Sequence, residues 1–351
     1  MKAALVGLGA IGTIVAADLA LNDFPLYVVC KHQEVLDIVQ SRGLKVTGVS
    51  GDYIVKDNLT PVLQIEDLPE DLDFVFMVTK LTHIEDALKR IKPKLSKDFT
   101  VVTVTNGMYE EKLIEMYDKK NLVGCVVSFG ASKTGPAESK KTSQGEIYFG
   151  RLNGKKGKDD DLVIEKLSNI VPAFWSDNII NEKMSKLLIN IAVTSFGIIG
   201  GITLGDMLKR RMTRIAFLTV LTEGVKIADA KKIKLQKMNG LSLHSLTLTK
   251  GMLHAFFCPR LFFKDTIVKI IGNKYKHLRS SSLQSIESGR KSEGDFLTGY
   301  IVEQGEKLGI ETPLNRYVLE QIHEIEEGKK KPSIKGIEEL EQKTREIWEM
   351  K

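Results

Sequence analysis

The chain has 351 residues, 42% hydrophobic and 27% charged, with a net charge of +6 from 51 basic and 45 acidic side chains. That is globular composition in a chain too long for one core, so two domains are expected. The short charge runs "NGKKGKDDD" near 155 and "EEGKKKPS" near 329 read as solvated loops, which argues against a nucleic-acid partner.

The start, "MKAALVGLGAIG", has one positive charge and an apolar run, but its glycines mark structure rather than a secretory leader. Residues 2–7 read as a buried strand, and Gly7, Gly9 and Gly12 then give G-x-G-x-x-G ahead of a helical pattern, "TIVAADLALND". A second strand, "LYVVC", ends at Cys30. This order is that of a dinucleotide-binding unit. The first glycine permits the turn, the second lets backbone N–H groups approach a pyrophosphate, and the third lets the helix pack on the sheet. Gly7, Leu8, Gly9, Ala10, Ile11 and Gly12 are therefore expected to hold the cofactor. An NAD site carries an acid after the second strand, whereas Cys30, Lys31 and His32 stand here, with no acid until Glu34. NADP is expected, with Lys31 on the 2′-phosphate; the alternative for Lys31 is a surface lysine at a strand end.

"DFVFMVT" (73–79) ends in Lys80 and "FTVVTVT" (99–105) ends in Asn106-Gly107. Carboxyl ends of parallel strands face the ligand crevice, so Lys80 and Asn106 are cofactor-side candidates, although Asn-Gly is also an ordinary turn. "LVGCVVSFGAS" reads as a strand, "GEIYFGRL" as an antiparallel one, and "SKKTSQ" between them as an exposed loop. From about Ile164 the pattern turns helical, beginning with "LVIEKLSNIVPAFW" as an amphipathic helix. In "MSKLLINIAVTSFGIIGG" the polar Lys186, Asn190 and Thr194 recur every fourth residue on one face of a helix that otherwise reads as buried core rather than a membrane span. A later polar cluster, "RSSSLQSIESGRKSEGDF", includes Ser280, Ser281, Ser282, Glu293 and Asp295. Taken alone, Lys186 also reads as a snorkelling lysine and Glu293 as a capping acid. Cys30, Cys125 and Cys258 are odd in number and widely spaced, which argues for a reducing, cytoplasmic setting. His32, His83, His244, His254, His277 and His323 show no metal-ligand spacing, so no metal is expected.

Together these residues resemble the ketopantoate reductase family, which reduces 2-dehydropantoate with NADPH in the biosynthesis of pantothenate and coenzyme A. The likeness runs through "GLGAIG", Lys80, "TNG" at Asn106, "KLLIN" and "SSLQSIESGRKSEGDFLTGYIVEQGEKLGIETPLN". It implies a Rossmann-like α/β domain over 1–176 and an all-α domain over 177–351 like the C-terminal domain of 6-phosphogluconate dehydrogenase. It implies Lys186 as proton donor, Asn190 (with Thr194 at the next turn) and Ser281 on a 2-oxo acid substrate, and Glu293 organising the site beside the cofactor. Lys31, Lys80, Asn106 and Ala131 match cofactor-side positions. The chain departs from the family at Thr194, Leu204 and Leu278, where asparagines are usual, and by extra apolar chain at about 235–278 that could cover the cleft, extend the core or form a subunit interface. Three readings stay open: ketopantoate reductase, an NADP-dependent reductase of another 2-oxo acid, or a non-catalytic nucleotide sensor. The expected partner is a small-molecule substrate, with neither nucleic acid nor membrane, and a homodimer is the candidate assembly.

Overall fold

The computed structural model describes residues 1–167, 169–237, 240–255 and 258–349. It divides into two compact units, Met1–Ile180 and Asn181–Lys351. The division falls a few residues past the boundary read from the sequence, inside the first turn of a long helix.

Unit 1 runs β1 (Ala3–Val6), α1 (Ala10–Leu21), β2 (Leu26–Val29), α2 (Gln33–Ser41), β3 (Leu44–Gly48), β4 (Tyr53–Val55), β5 (Leu59–Val62), β6 (Leu72–Met77), α3 (Leu81–Ile91), β7 (Leu95–Thr103), α4 (Glu110–Leu113), β8 (Leu122–Val127), β9 (Ala131–Gly135), β10 (Glu138–Lys141), β11 (Ile147–Arg151), α5 (Asp160–Lys166) and β12 (Ala173–Trp175). The main sheet has the order β12-β11-β8-β7-β6-β1-β2-β5. Its strands from β5 to β8 are parallel, and β11 reverses against β8. All four residues of β1 are buried, as suits a central strand covered on both faces. In register, Val6, Val29, Met77 and Thr103 form one row. The segments leaving β1, β2, β6 and β7 therefore emerge at one edge of the sheet.

Two sequence expectations are corrected here. "LVIEKLSNIVPAFW" is not one helix: α5 ends at Lys166, and Ala173–Trp175 pairs with β11. Pro172 cannot continue a helix, and its carbonyl accepts the N–H of Ile147, starting that pairing. Only the second half of "SKKTSQ", Thr142 to Gln144, is an exposed loop, because Ser139 and Lys141 are fully buried in β10 of a second sheet, β4-β3-β10-β9. The strand alternation turns Ser139 and Lys141 inward and Lys140 outward. The Lys141 ammonium is satisfied by Ser50 Oγ and the Ile170 carbonyl, both at 2.8 Å, and lies over the Phe129 ring. The same segment anchors α1. Buried Asp18 accepts the N–H groups of Asn169, Ile170 and Val171 at 3.1, 2.9 and 2.9 Å. Burial nevertheless raises its pKa, the hydrogen bonds opposing that rise.

Unit 2 is helical: α6 (Ile179–Gly200), α7 (Leu204–Lys209), α8 (Arg211–Ala230), α9 (Lys250–His254), α10 (Pro259–Lys274), α11 (Ser281–Glu287), α12 (Gly294–Leu308), α13 (Pro313–Glu326) and α14 (Ile334–Ile347). Helix α8 is buried over most of its length and packs against α7, α10, α12, α13 and α14. Its Glu223 accepts from the Leu314 and Asn315 backbone and from Asn315 Nδ2 at 2.9, 2.9 and 2.7 Å, so a buried acid caps α13 where Pro313 opens it. Helix α6 has the length and composition of a membrane span, yet 78% of its apolar stretch is buried inside the protein, as a core helix requires.

Candidate active site

The glycine turn has the geometry a phosphate needs. Gly7 has φ +115°, and a Cβ on it would stand 2.7 Å from the Val78 backbone. A Cβ on Gly12 would stand 1.9 Å from the Gly7 carbonyl oxygen, so only glycine lets α1 pack this close. Gly9 differs, because among the described residues no atom beyond its own chain neighbours lies within 4 Å of the position its Cβ would take. That open side is where an anion can approach. Gly9 is also the N-cap of α1, no side chain caps it, and no acid occupies the first turn, so the positive end of the helix is left for a ligand. Leu8 and Ile11 are half-buried and pack on the core, so in this turn they contribute main chain rather than side chain to any anion site.

Beyond β2, Cys30 is buried, which pushes its thiol up to about 11. Lys31 is exposed and takes the left-handed φ of +66°, a conformation that costs a residue with a Cβ about 1 kcal/mol. No acid stands at this strand end; Glu34 lies in the first turn of α2. Lys80 is the half-buried N-cap of α3, and Asn106 is half-buried before Gly107 at φ +74°. Ala131 opens β9 in the smaller sheet, four residues after the carboxyl end of β8, which runs parallel to β7.

One residue here was missed in the sequence. Thr79, between β6 and Lys80, has a buried Oγ1 with no partner among the described residues. An orphaned hydroxyl costs about 1–3 kcal/mol, and this one follows directly on the Val78 backbone that borders Gly7. The only sequence signal was its place in "VTK". The open face of Gly9, the uncapped helix and the orphaned Thr79 together fit a dinucleotide phosphate.

In unit 2, Lys186 and Asn190 are half-buried on α6 and Thr194 is buried. The Thr194 hydroxyl donates to Asn190 Oδ1 at 3.0 Å. Ser280 Oγ donates to the Thr194 carbonyl at 3.2 Å and accepts the Leu283 N–H at 3.3 Å as the cap of α11. A Cβ on Gly197 would stand 2.6 Å from Ser280 Cβ, so that glycine lets α6 and α11 meet. The polar row of α6 and the serine cluster, separated in sequence, are thereby joined, and the exposed Ser281 is fixed next to the joint. Glu293 occupies the N-cap position of α12 but makes no side-chain capping bond. Ser292 Oγ accepts the Gly294 N–H instead, at 2.9 Å.

The profile of ketopantoate reductase PanE/ApbA matches residues 3–154, and that of the ketopantoate reductase PanE/ApbA C terminal matches residues 178–326. The chain belongs to this family. It is thereby an oxidoreductase with a Rossmann-like dinucleotide-binding domain followed by a helical one. Among family relatives, the 2-dehydropantoate 2-reductase of Archaeoglobus fulgidus is 22% identical over 326 residues, covering 92% of this chain and 97% of that one. The enzyme of the same name from Pyrococcus abyssi is 26% identical over 322 residues, covering 90% and 94%. The PanE/ApbA family ketopantoate reductase of Ralstonia eutropha shares the fold at a TM-score of 0.77 and 22% identity, over 93% of this chain and 99% of that one. D-mandelate dehydrogenase bound to NADH and anilino(oxo)acetate shares it at 0.75 and 21%, over 93% and 99%.

Proposed function

We propose that this chain reduces a 2-oxo acid, with 2-dehydropantoate as the first candidate, using NADPH. The observation that carries the reading is the polar row of Lys186, Asn190 and Thr194 on the otherwise buried helix α6, with Asn190 bonded to Thr194 and Ser280 of α11 tied to the Thr194 carbonyl. Core helices avoid such rows, because each buried polar group must be satisfied.

The Gly7–Gly12 turn, with Thr79, Lys80 and Asn106 as further contacts, would hold the nucleotide, which would supply the hydride. Lys31 supports NADP over NAD, since an exposed cation without a neighbouring strand-end acid suits a 2′-phosphate. The Lys186 ammonium donates a proton to the keto oxygen as negative charge builds on it. Asn190 directs its amide N–H₂ at substrate, because its Oδ1 already accepts from Thr194. The Ser281 hydroxyl donates to the substrate carboxylate. Glu293, not spent on capping, keeps the Lys186 ammonium charged and oriented. This is cytoplasmic chemistry serving pantothenate synthesis. Replacing Lys186 with Ala should lower kcat by roughly 10²–10⁴ while nucleotide binding persists; near-normal turnover in that variant would end the proposal.

A second reading is favoured by one observation. Leu204 and Leu278, where the resemblance places asparagines, are bonded to each other through their backbones at 3.0 Å. Two polar positions have become apolar side by side, which supports a less polar 2-oxo acid. NADPH consumption across a panel of 2-oxo acids separates the two, and tight nucleotide binding without turnover on any would select a sensor.

A further inference from the structure

Helix α10 lies in the extra segment and has two faces of different character. Leu261, Val268, Gly272 and the Lys264 stem are buried, and Lys264 donates to the Thr247 carbonyl. On the opposite side Phe262, Phe263 and Ile270 are 69%, 63% and 62% exposed. Positions 263 and 270 lie two turns apart on one face, and 262 borders it. Tyr275 continues the exposed apolar surface past the helix end. Soluble surfaces rarely gather large apolar side chains in this way without a partner.

The charges around this patch say which partner. Residues 259–280 carry six basic side chains and one acidic one, a net +5 against +6 for the whole chain. Arg260, Lys269 and Lys274 flank the outward face of α10, and Lys276 follows; all four are exposed. The nearby acids are already engaged: Asp265 with Arg214 at 2.7 Å, and Glu287 with Arg279 at 2.6 Å. The patch is therefore apolar at its centre and cationic at its rim. A second copy of the chain is a poor occupant, because a two-fold contact would set these cations against their own copies.

We infer that the outward face of α10 docks this protein on an anionic phospholipid surface. Phe262, Phe263 and Ile270 enter the boundary between headgroups and acyl chains, while Arg260, Lys269, Lys274 and Lys276 meet lipid phosphates. The helix has 16 residues, too few to span a bilayer, and its inner face is committed to the core, so it lies in the membrane plane. This mode departs from the sequence expectation of no membrane partner, for which only a spanning helix was weighed.

The full chain is sedimented with vesicles of phosphatidylcholine alone and of phosphatidylcholine mixed with phosphatidylglycerol. It is expected to pellet with the anionic vesicles only and to be released as salt rises. F262S/F263S and R260E/K269E/K274E, which alter exposed side chains and should melt with the parent, are each expected to weaken partitioning at least about tenfold. Protein left in the supernatant with anionic vesicles overturns the inference, as does partitioning that F262S/F263S does not change. A dimer in sedimentation velocity that the same pair abolishes, without vesicle binding, gives the face to a second copy. Binding to duplex nucleic acid without vesicle binding gives it to that polymer.

Discussion

The backbone N–H of Leu204, at the start of α7, donates to the carbonyl of Leu278 at 3.0 Å. Leu204 is buried, whereas Leu278 is 45% exposed. Two apolar departures more than seventy residues apart in the chain thus act as one local feature. Asparagine at 278 should change stability by less than about 0.5 kcal/mol, because the side chain meets solvent. At 204 it should cost about 2–4 kcal/mol, since a buried amide would replace packed methyl groups. Leu278→Asn should also raise kcat/KM for 2-dehydropantoate, relative to a 2-oxo acid with an apolar side chain, by roughly tenfold. Chemical denaturation and paired substrate kinetics check both; an unchanged preference would show that this pair does not face substrate.

Gly9 and Gly12 should separate binding from folding. Gly9→Ala adds a methyl where no described atom beyond its chain neighbours lies within 4 Å, so the melting temperature should stay near that of the parent. The same methyl stands in the path of a pyrophosphate, and nucleotide Kd should rise at least about tenfold. Gly12→Ala drives a methyl to 1.9 Å from the Gly7 carbonyl oxygen and should destabilise the fold by more than about 2 kcal/mol. Thermal melts beside fluorescence titration with NADPH decide this.

Lys31 joins a charge to an unfavourable backbone at φ +66°. Lys31→Gly should relieve the backbone and raise stability by about 0.5–1 kcal/mol, yet weaken NADPH binding. Lys31→Glu should lower NADPH affinity about a hundredfold and leave NADH affinity within a few-fold, because only NADPH carries the 2′-phosphate. Equal losses for both nucleotides would remove Lys31 from the phosphate site.

Cys30 gives a pH test with a definite sign. Burial holds its folded pKa at about 11, above the value of 9.0 for a free thiol. Between those limits the unfolded chain releases a proton that the folded chain keeps. Stability contributed by this thiol is therefore intact below about pH 9 and is lost as pH rises toward 11. Denaturation midpoints at pH 8 and pH 10 should fall more steeply for the parent than for Cys30→Ala. In the native state Cys30 should also resist alkylation that reaches it once the chain unfolds.

Much of unit 1 was legible in the sequence because it rests on local rules. A glycine turn that begins at residue 7, apolar strands ending in Lys80 and Asn106, and a strand end without an acid each follow from neighbouring residues and sheet geometry. The four-residue spacing of Lys186, Asn190 and Thr194 was equally readable, since helix periodicity alone puts them on one face. "SKKTSQ" misled because a lysine is buried only when distant groups satisfy it, here Ser50 and the Ile170 carbonyl.

The sequence by itself determined the opening strand, turn, helix and strand, the glycine turn and the polar row, all of which depend on residues within a turn or a strand of each other. The tertiary structure decided which of those groups have partners: that Thr194 fixes the Asn190 amide, that Ser280 ties α6 to α11, that Glu293 is not a cap, and that Thr79 is left with an unmet hydroxyl. The reason is physical. Hydrogen-bond satisfaction and burial are properties of a packed neighbourhood, and a packed neighbourhood is assembled from segments that no sequence window contains together.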